Sequence, residues 1–196
     1  MKLMFKALCC GLCIACLLSM VGFCGACEDI ESEVLRLHIL ANSDSEEDQT
    51  LKLKVRDGLL AYSETLFQNA ATKAEAETIA KENLAQIQSE AEKIIRENGY
   101  DYGVQVYIKN MSFNTRVYGD VTLPAGNYDA IRVVIGAGEG HNWWCVMFPP
   151  LCLPSATGTE LNTVLNDEEQ KIVTDEHYTF KFKIVEIFES IVSLFR

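Results

Sequence analysis

The sequence predicts an α+β fold: an N-terminal apolar export helix, two helices packed on a mainly antiparallel sheet, and a C-terminal amphipathic helix. Three observations carry this expectation. Residues 7–27 contain no charge, residues 46–97 place apolar side chains at spacings of three and four, and beyond residue 102 the apolar period falls to two. At 196 residues and 48% hydrophobic content, the chain can bury one sizeable core, so a single domain with appendages is expected. Its formal charge of −11 repels nucleic acid and anionic lipid surfaces over roughly 8–10 Å at ordinary salt. No nucleic-acid partner is expected.

Lys2 and Lys6 precede an uncharged run of 21 residues, a pattern shared by secretory signals and membrane spans. Residues 1–27 are therefore expected to be a signal peptide or membrane anchor, with membrane contact through this segment if it is uncleaved. Small residues in Cys24-Gly25-Ala26 suit cleavage after Ala26; lipidation of Cys27 ranks lower, because Cys24 stands where a leucine is usual. Six of the eight cysteines lie here, and Cys10-x-x-Cys13 with Cys24-x-x-Cys27 imitates a zinc spacing. The surrounding Leu, Ile, Val and Phe offer no polar support for thiolate ligands, so no metal is expected.

Residues 28–152 are expected to form the core domain. Residues 34–41, VLRLHILA, read as a buried strand in which His38 is a packed or edge residue rather than a ligand. Asp44, Glu46 and Asp48 suggest a calcium loop, but Gln49 occupies the position that needs glycine and Val55 the position that needs an acid. A helix start explains them better: Ser43 with Glu46, and Ser45 with Asp48, have capping-box spacing, and the acidic first turn complements the helix dipole. The helix over residues 46–67 presents Leu51, Val55, Leu59, Tyr62 and Leu66 on one face. A second, over residues 73–97, presents Ile79, Leu84, Ile87, Ala91, Ile94 and Ile95, and stops at Asn98-Gly99.

Strands follow. Val104, Val106 and Ile108 alternate with polar neighbours; a short strand spans residues 115–118; residues 123–127 form a turn; and residues 128–135 form another strand. Gly136-Ala137-Gly138-Glu139-Gly140 lacks the spacing and the following helix of a dinucleotide fingerprint, so it reads as a hairpin turn into residues 142–148.

Cys145 and Cys152 remain. In an exported domain two such cysteines are expected to pair, and Pro149-Pro150 can turn the chain back to bring them together. The eight-residue ring would contribute ~2.5 kcal/mol by the chain-entropy relation. The rival reading makes Cys145 a nucleophile with His141 or His177 as its base, although nothing identifies a residue to orient the imidazole.

Two blocks then carry a resemblance. LRLHILANSDSEEDQTLKLKVRD (residues 35–57) and YGDVTLPAGNYDAIRVVIGAGEGHNWWCVMFPPLC (residues 118–152) resemble the stage II sporulation protein R family of endospore-forming bacteria. The resemblance implies a signalling protein made in the forespore and exported across its membrane into the space between forespore and mother cell. There it would activate a membrane-embedded aspartic protease that processes a sigma factor precursor. No catalytic residue or cofactor is implied, and none is assigned. The alternative from another class is an exported cysteine hydrolase acting on the cell envelope through Cys145. Trp143 and Trp144 are the candidate partner contacts, since strand alternation should turn one of them outward. Residues 153–177 are expected to be a surface loop or linker, and residues 178–196 an amphipathic helix docked on the sheet.

Overall fold

A computed structural model describes residues 2–152, 161, 164–175, 178, 181–183 and 186, with backbone alone for residues 2, 3, 7–9 and 12–20. The elements run α1 (Lys2–Glu33), β1 (Leu35–Leu40), α2 (Glu46–Leu66), α3 (Lys73–Glu82), α4 (Leu84–Glu97), β2 (Val104–Phe113), β3 (Arg116–Tyr118), β4 (Val121–Leu123), β5 (Gly126–Ile135), β6 (Asn142–Phe148) and α5 (Asp167–Thr174). Four strands form one sheet in the order β2-β5-β1-β6, and β3 with β4 forms a separate hairpin. The sheet is mainly antiparallel, with one parallel pair, β1 with β5.

Alternation along β1 divides the core into two. Leu35, Leu37 and Ile39 join Ile131, Val133 and Cys145 beneath Leu51, Val55 and Leu59 of α2 and Ile87, Ala91 and Ile95 of α4. On the opposite face, Phe23, Cys27, Ile30 and Val34 pack with Phe113, Tyr128, Ala130 and Val146, joined by Ile172 and Val173 of α5. The spacing of four, three and four residues from Phe23 to Val34 is a helical stripe, so α1 continues as one helix past residue 27 and its last turns dock on the sheet. Phe23 meets the rings of Tyr178 and Phe182 at centroid distances of 5.7 and 5.4 Å. Among the described residues no helix is long and apolar enough to cross a membrane.

The structure corrects the hairpin expected at residues 136–140. β5 and β6 are not neighbours, because β1 lies between them. The glycine-rich loop instead crosses the end of β1: the Gly140 N–H donates to Ala41 O (3.0 Å), the Glu139 N–H to Asn42 O (3.2 Å) and the Ala137 N–H to Asn42 Oδ1 (2.9 Å). A Cβ on Gly140 would overlap the Ser43 carbonyl oxygen, and Gly136 has a φ of 56°, so close backbone approach and left-handed geometry explain these glycines.

Two helices also differ from expectation. The helix predicted over residues 73–97 is divided at Asn83, whose backbone N–H reaches the carbonyls of Ile79 and Ala80 while its Nδ2 donates to Ile79 O (2.7 Å). A short amide side chain satisfies the end of one helix and lets the next begin. In the span expected to be a loop, α5 forms behind a capping box between Asn166 and Glu169, too short a helix for its apolar period to register. The helix predicted over residues 178–196 lies mostly outside the described residues; residues 181–183 and 186 are helical and Phe182 is buried.

Candidate functional site

The fold joins the two sequence blocks at the end of β1. Residues 42–52 supply one side of the junction and residues 136–142 the other. Asp48, almost fully buried, accepts from Ser43 Oγ (2.6 Å) and Asn42 Nδ2 (2.8 Å). Burial pushes its carboxyl up, but these bonds and one from Tyr102 outweigh burial and hold it below the usual carboxylate range. Ser45 caps α2 by accepting the Asp48 N–H (3.2 Å), so Asp48 is fixed at both backbone and side chain. Lys52 is buried as well: its Nζ donates to Gln49 Oε1 (2.5 Å) and crosses to the His141 carbonyl (2.8 Å). Burial lowers its pKa, opposed by the nearby Asp44. Asp44 returns the link by accepting the His141 backbone N–H (2.6 Å) and bonding its Nδ1.

Farther along β6, Cys145 is bonded to Cys152 with their Cα atoms 6.1 Å apart. The Val146 N–H donates to Cys152 Sγ (3.3 Å), tying the returning chain to the strand. Cys145 is fully buried. With its sulfur in a disulfide it offers no thiolate, and His141 is exposed and turned to Asp44. His177, the other proposed base, lies outside the described residues. Among the described residues no group of three His, Cys, Asp or Glu side chains is placed to hold a metal ion.

The tryptophans separate to opposite sides of the sheet, and both are half-buried. Trp143 faces the helices, where the Arg56 guanidinium covers its ring at 4.5 Å. Trp144 faces the other way and ends a row across all four strands: Tyr107, Arg132, His38 and Trp144 are successive register partners on β2, β5, β1 and β6. His38 stacks on Trp144 at 4.0 Å, Arg132 lies 6.0 Å from the Tyr107 ring, and Arg116 of β3 lies 5.9 Å from the Trp144 ring. His38 Nε2 is 2.8 Å from Asn142 Oδ1, which makes Nε2 the protonated nitrogen and leaves buried Nδ1 with no partner among the described residues. Burial pushes the His38 pKa down to about 4; the bond to Asn142 opposes this and the Arg132 charge adds to it.

The next row places Lys109, Ala130, Arg36 and Val146 side by side. Arg36 is fully buried among rings, with its Cζ 4.4 Å from Phe113, 4.8 Å from Tyr128 and 5.4 Å from Tyr118. Its Nη2 donates to the Tyr118 hydroxyl (2.8 Å), while Nε and Nη1 have no partner among the described residues. Burial lowers its pKa, and the electron-rich Tyr118 and Tyr128 oppose this. Sequence reasoning singled out Trp144 but missed Tyr107, Arg116 and Arg132. Alternation alone places Tyr107 and Arg132 on one face of their strands, but no local signal says which strands become neighbours.

The fold and site define an α+β domain whose two sequence blocks meet in one hydrogen-bonded junction, with a disulfide farther along β6. The chain belongs to the stage II sporulation protein R family, whose pattern matches residues 31–158. It is 36% identical over 140 residues to stage II sporulation protein R of Bacillus subtilis (strain 168), a match covering 71% of this chain and 62% of that protein. The matched region therefore spans less than two thirds of that relative's length. No solved structure matches the chain.

Proposed function

We propose that this sporulation protein is an exported signal that activates, by protein contact, a membrane-embedded aspartic protease processing a sigma factor precursor in the mother cell. Membership of the family supports the sporulation role. The observation that carries the contact mechanism is the bonding of the junction and of the disulfide farther along β6. Residues that would be reactive in a hydrolase are committed to structure: Cys145 to Cys152, Lys52 to Gln49 and His141, and His141 to Asp44. Such a body is suited to presenting a surface. For contact to activate the protease, binding must favour its active state, because equal affinity for both states shifts nothing.

The test is co-expression of the full chain, the membrane protease and the sigma precursor in a non-sporulating cell. Cleavage of the precursor only when all three are present is the expected result. No cleavage, with all three proteins folded and at the membrane, would refute the signalling reading.

A further inference from the structure

Among the described residues, the sheet face bearing Trp144 is covered over half its extent. Around Phe113, Tyr128 and Val146 it is buried by α1, α5 and the β3–β4 hairpin. Over the rest, no described element packs: Gln105, Tyr107, Lys109 and Asn142 are exposed, and Leu40, Arg132, Val134 and Trp144 are half-buried. Arg116 and Val117 stand exposed at the boundary, Val117 with 69% of its surface in solvent.

Its charge is the opposite of the chain's. The four strands carry their ionised side chains asymmetrically: Arg36, Lys109 and Arg132 share this face, whereas Asp129, their one acidic residue, lies on the helix-covered face and pairs with Lys73. A chain of net charge −11 thus gathers Lys109, Arg132 and Arg116 around one aromatic row, with no acid on these strands facing them. Arg132 keeps an unused donor: its Nε is buried without a partner among the described residues. A buried guanidinium lacking a counter-charge is costly, and a carboxylate brought close to the face would offset that cost. The rings provide flat apolar area between the cations, which suits an extended chain carrying apolar or aromatic side chains among its acids.

We infer that this half-face, centred on the Tyr107–Arg132–His38–Trp144 row and flanked by Lys109 and Arg116, docks an acidic polypeptide segment of a partner protein. An anionic membrane fits less well. Lipid-binding patches gather about four to eight exposed basic residues, and here Arg36 is buried and the rest of the chain is strongly acidic. The inference rests on the contact-signalling reading and names the surface through which that contact is made.

The experiment has two arms. In the first, the full chain in mild detergent is titrated with a fluorescein-labelled Glu/Tyr peptide, its Gln/Tyr counterpart, and phosphatidylglycerol vesicles. The acidic peptide is expected to bind and the Gln/Tyr peptide not. Lys109→Glu and Arg132→Gln, each with an unchanged melting temperature, are expected to weaken binding at least about tenfold. Equal binding of both peptides, binding unaffected by either substitution, or vesicle binding without peptide binding overturns the inference. In the second arm the same variants replace the parent chain in the co-expression assay, and loss of precursor cleavage is expected. If the parent chain itself yields no cleavage, the signalling reading fails; if parent and variants cleave equally, the docking surface fails and the signalling reading stands.

Discussion

His38 should make this protein acid-labile in a way that a single substitution removes. Its folded pKa is about 4 against an ordinary 6.5. Protonation would add an N–H at Nδ1, which is buried and has no acceptor among the described residues. The sign follows from linkage. Between the two pKa values the unfolded chain binds a proton that the folded chain does not, so stability is fully present above 6.5 and is lost as pH falls towards 4. At about pH 5.5 the loss is about 1.4 kcal/mol, reaching about 3 kcal/mol at about pH 4. Urea unfolding of the parent and His38→Gln from about pH 7.5 to about pH 5.5 isolates this contribution, because other titrating groups are common to both. The parent should lose about 1.4 kcal/mol more than the variant over that range. Arg132→Gln should raise the His38 pKa measured by NMR, since Arg132 contributes to its depression. Parallel stability–pH lines for the parent and His38→Gln would refute the reasoning.

Other perturbations test the junction and the clasp. Gly140→Ala drives a Cβ into the Ser43 carbonyl and should cost about 1 to 3 kcal/mol, read as a lowered melting temperature; an unchanged melt would show that the loop has room. Cys145→Ser and Cys152→Ser should lose similar stability, about 2.5 kcal/mol each from the loop closed between them, and reduction of the parent should match. A precursor-cleavage defect confined to Cys145→Ser, with both variants equally stable, would instead argue for a nucleophile. Asp48→Ala leaves Ser43 and Asn42 without their shared acceptor and should destabilise by about 1 to 3 kcal/mol in chemical denaturation.

Local chemistry in the sequence determined much of the local structure. The Ser45 cap and acidic first turn define the start of α2, Val/Ile/Leu content marks β1, and period-two alternation defines β2 and β5. Even α5 had a written signal in Asn166 and Glu169, although eight residues carry too little periodicity to compete with the polar composition around them. Composition also marked residues 136–140 as glycine-dependent but left the reason open. A hairpin and a crossover both need glycine, and they differ only in whether another strand lies between the flanking ones. Tertiary structure decided that question by inserting β1 between β5 and β6, parallel to one and antiparallel to the other. The same insertion turned Tyr107, Arg132, His38 and Trp144, spread over β2, β5, β1 and β6, into one row. Alternation tells each residue its face because the pleat is local, but the neighbours on that face come from pairing between distant segments, which no local pattern encodes.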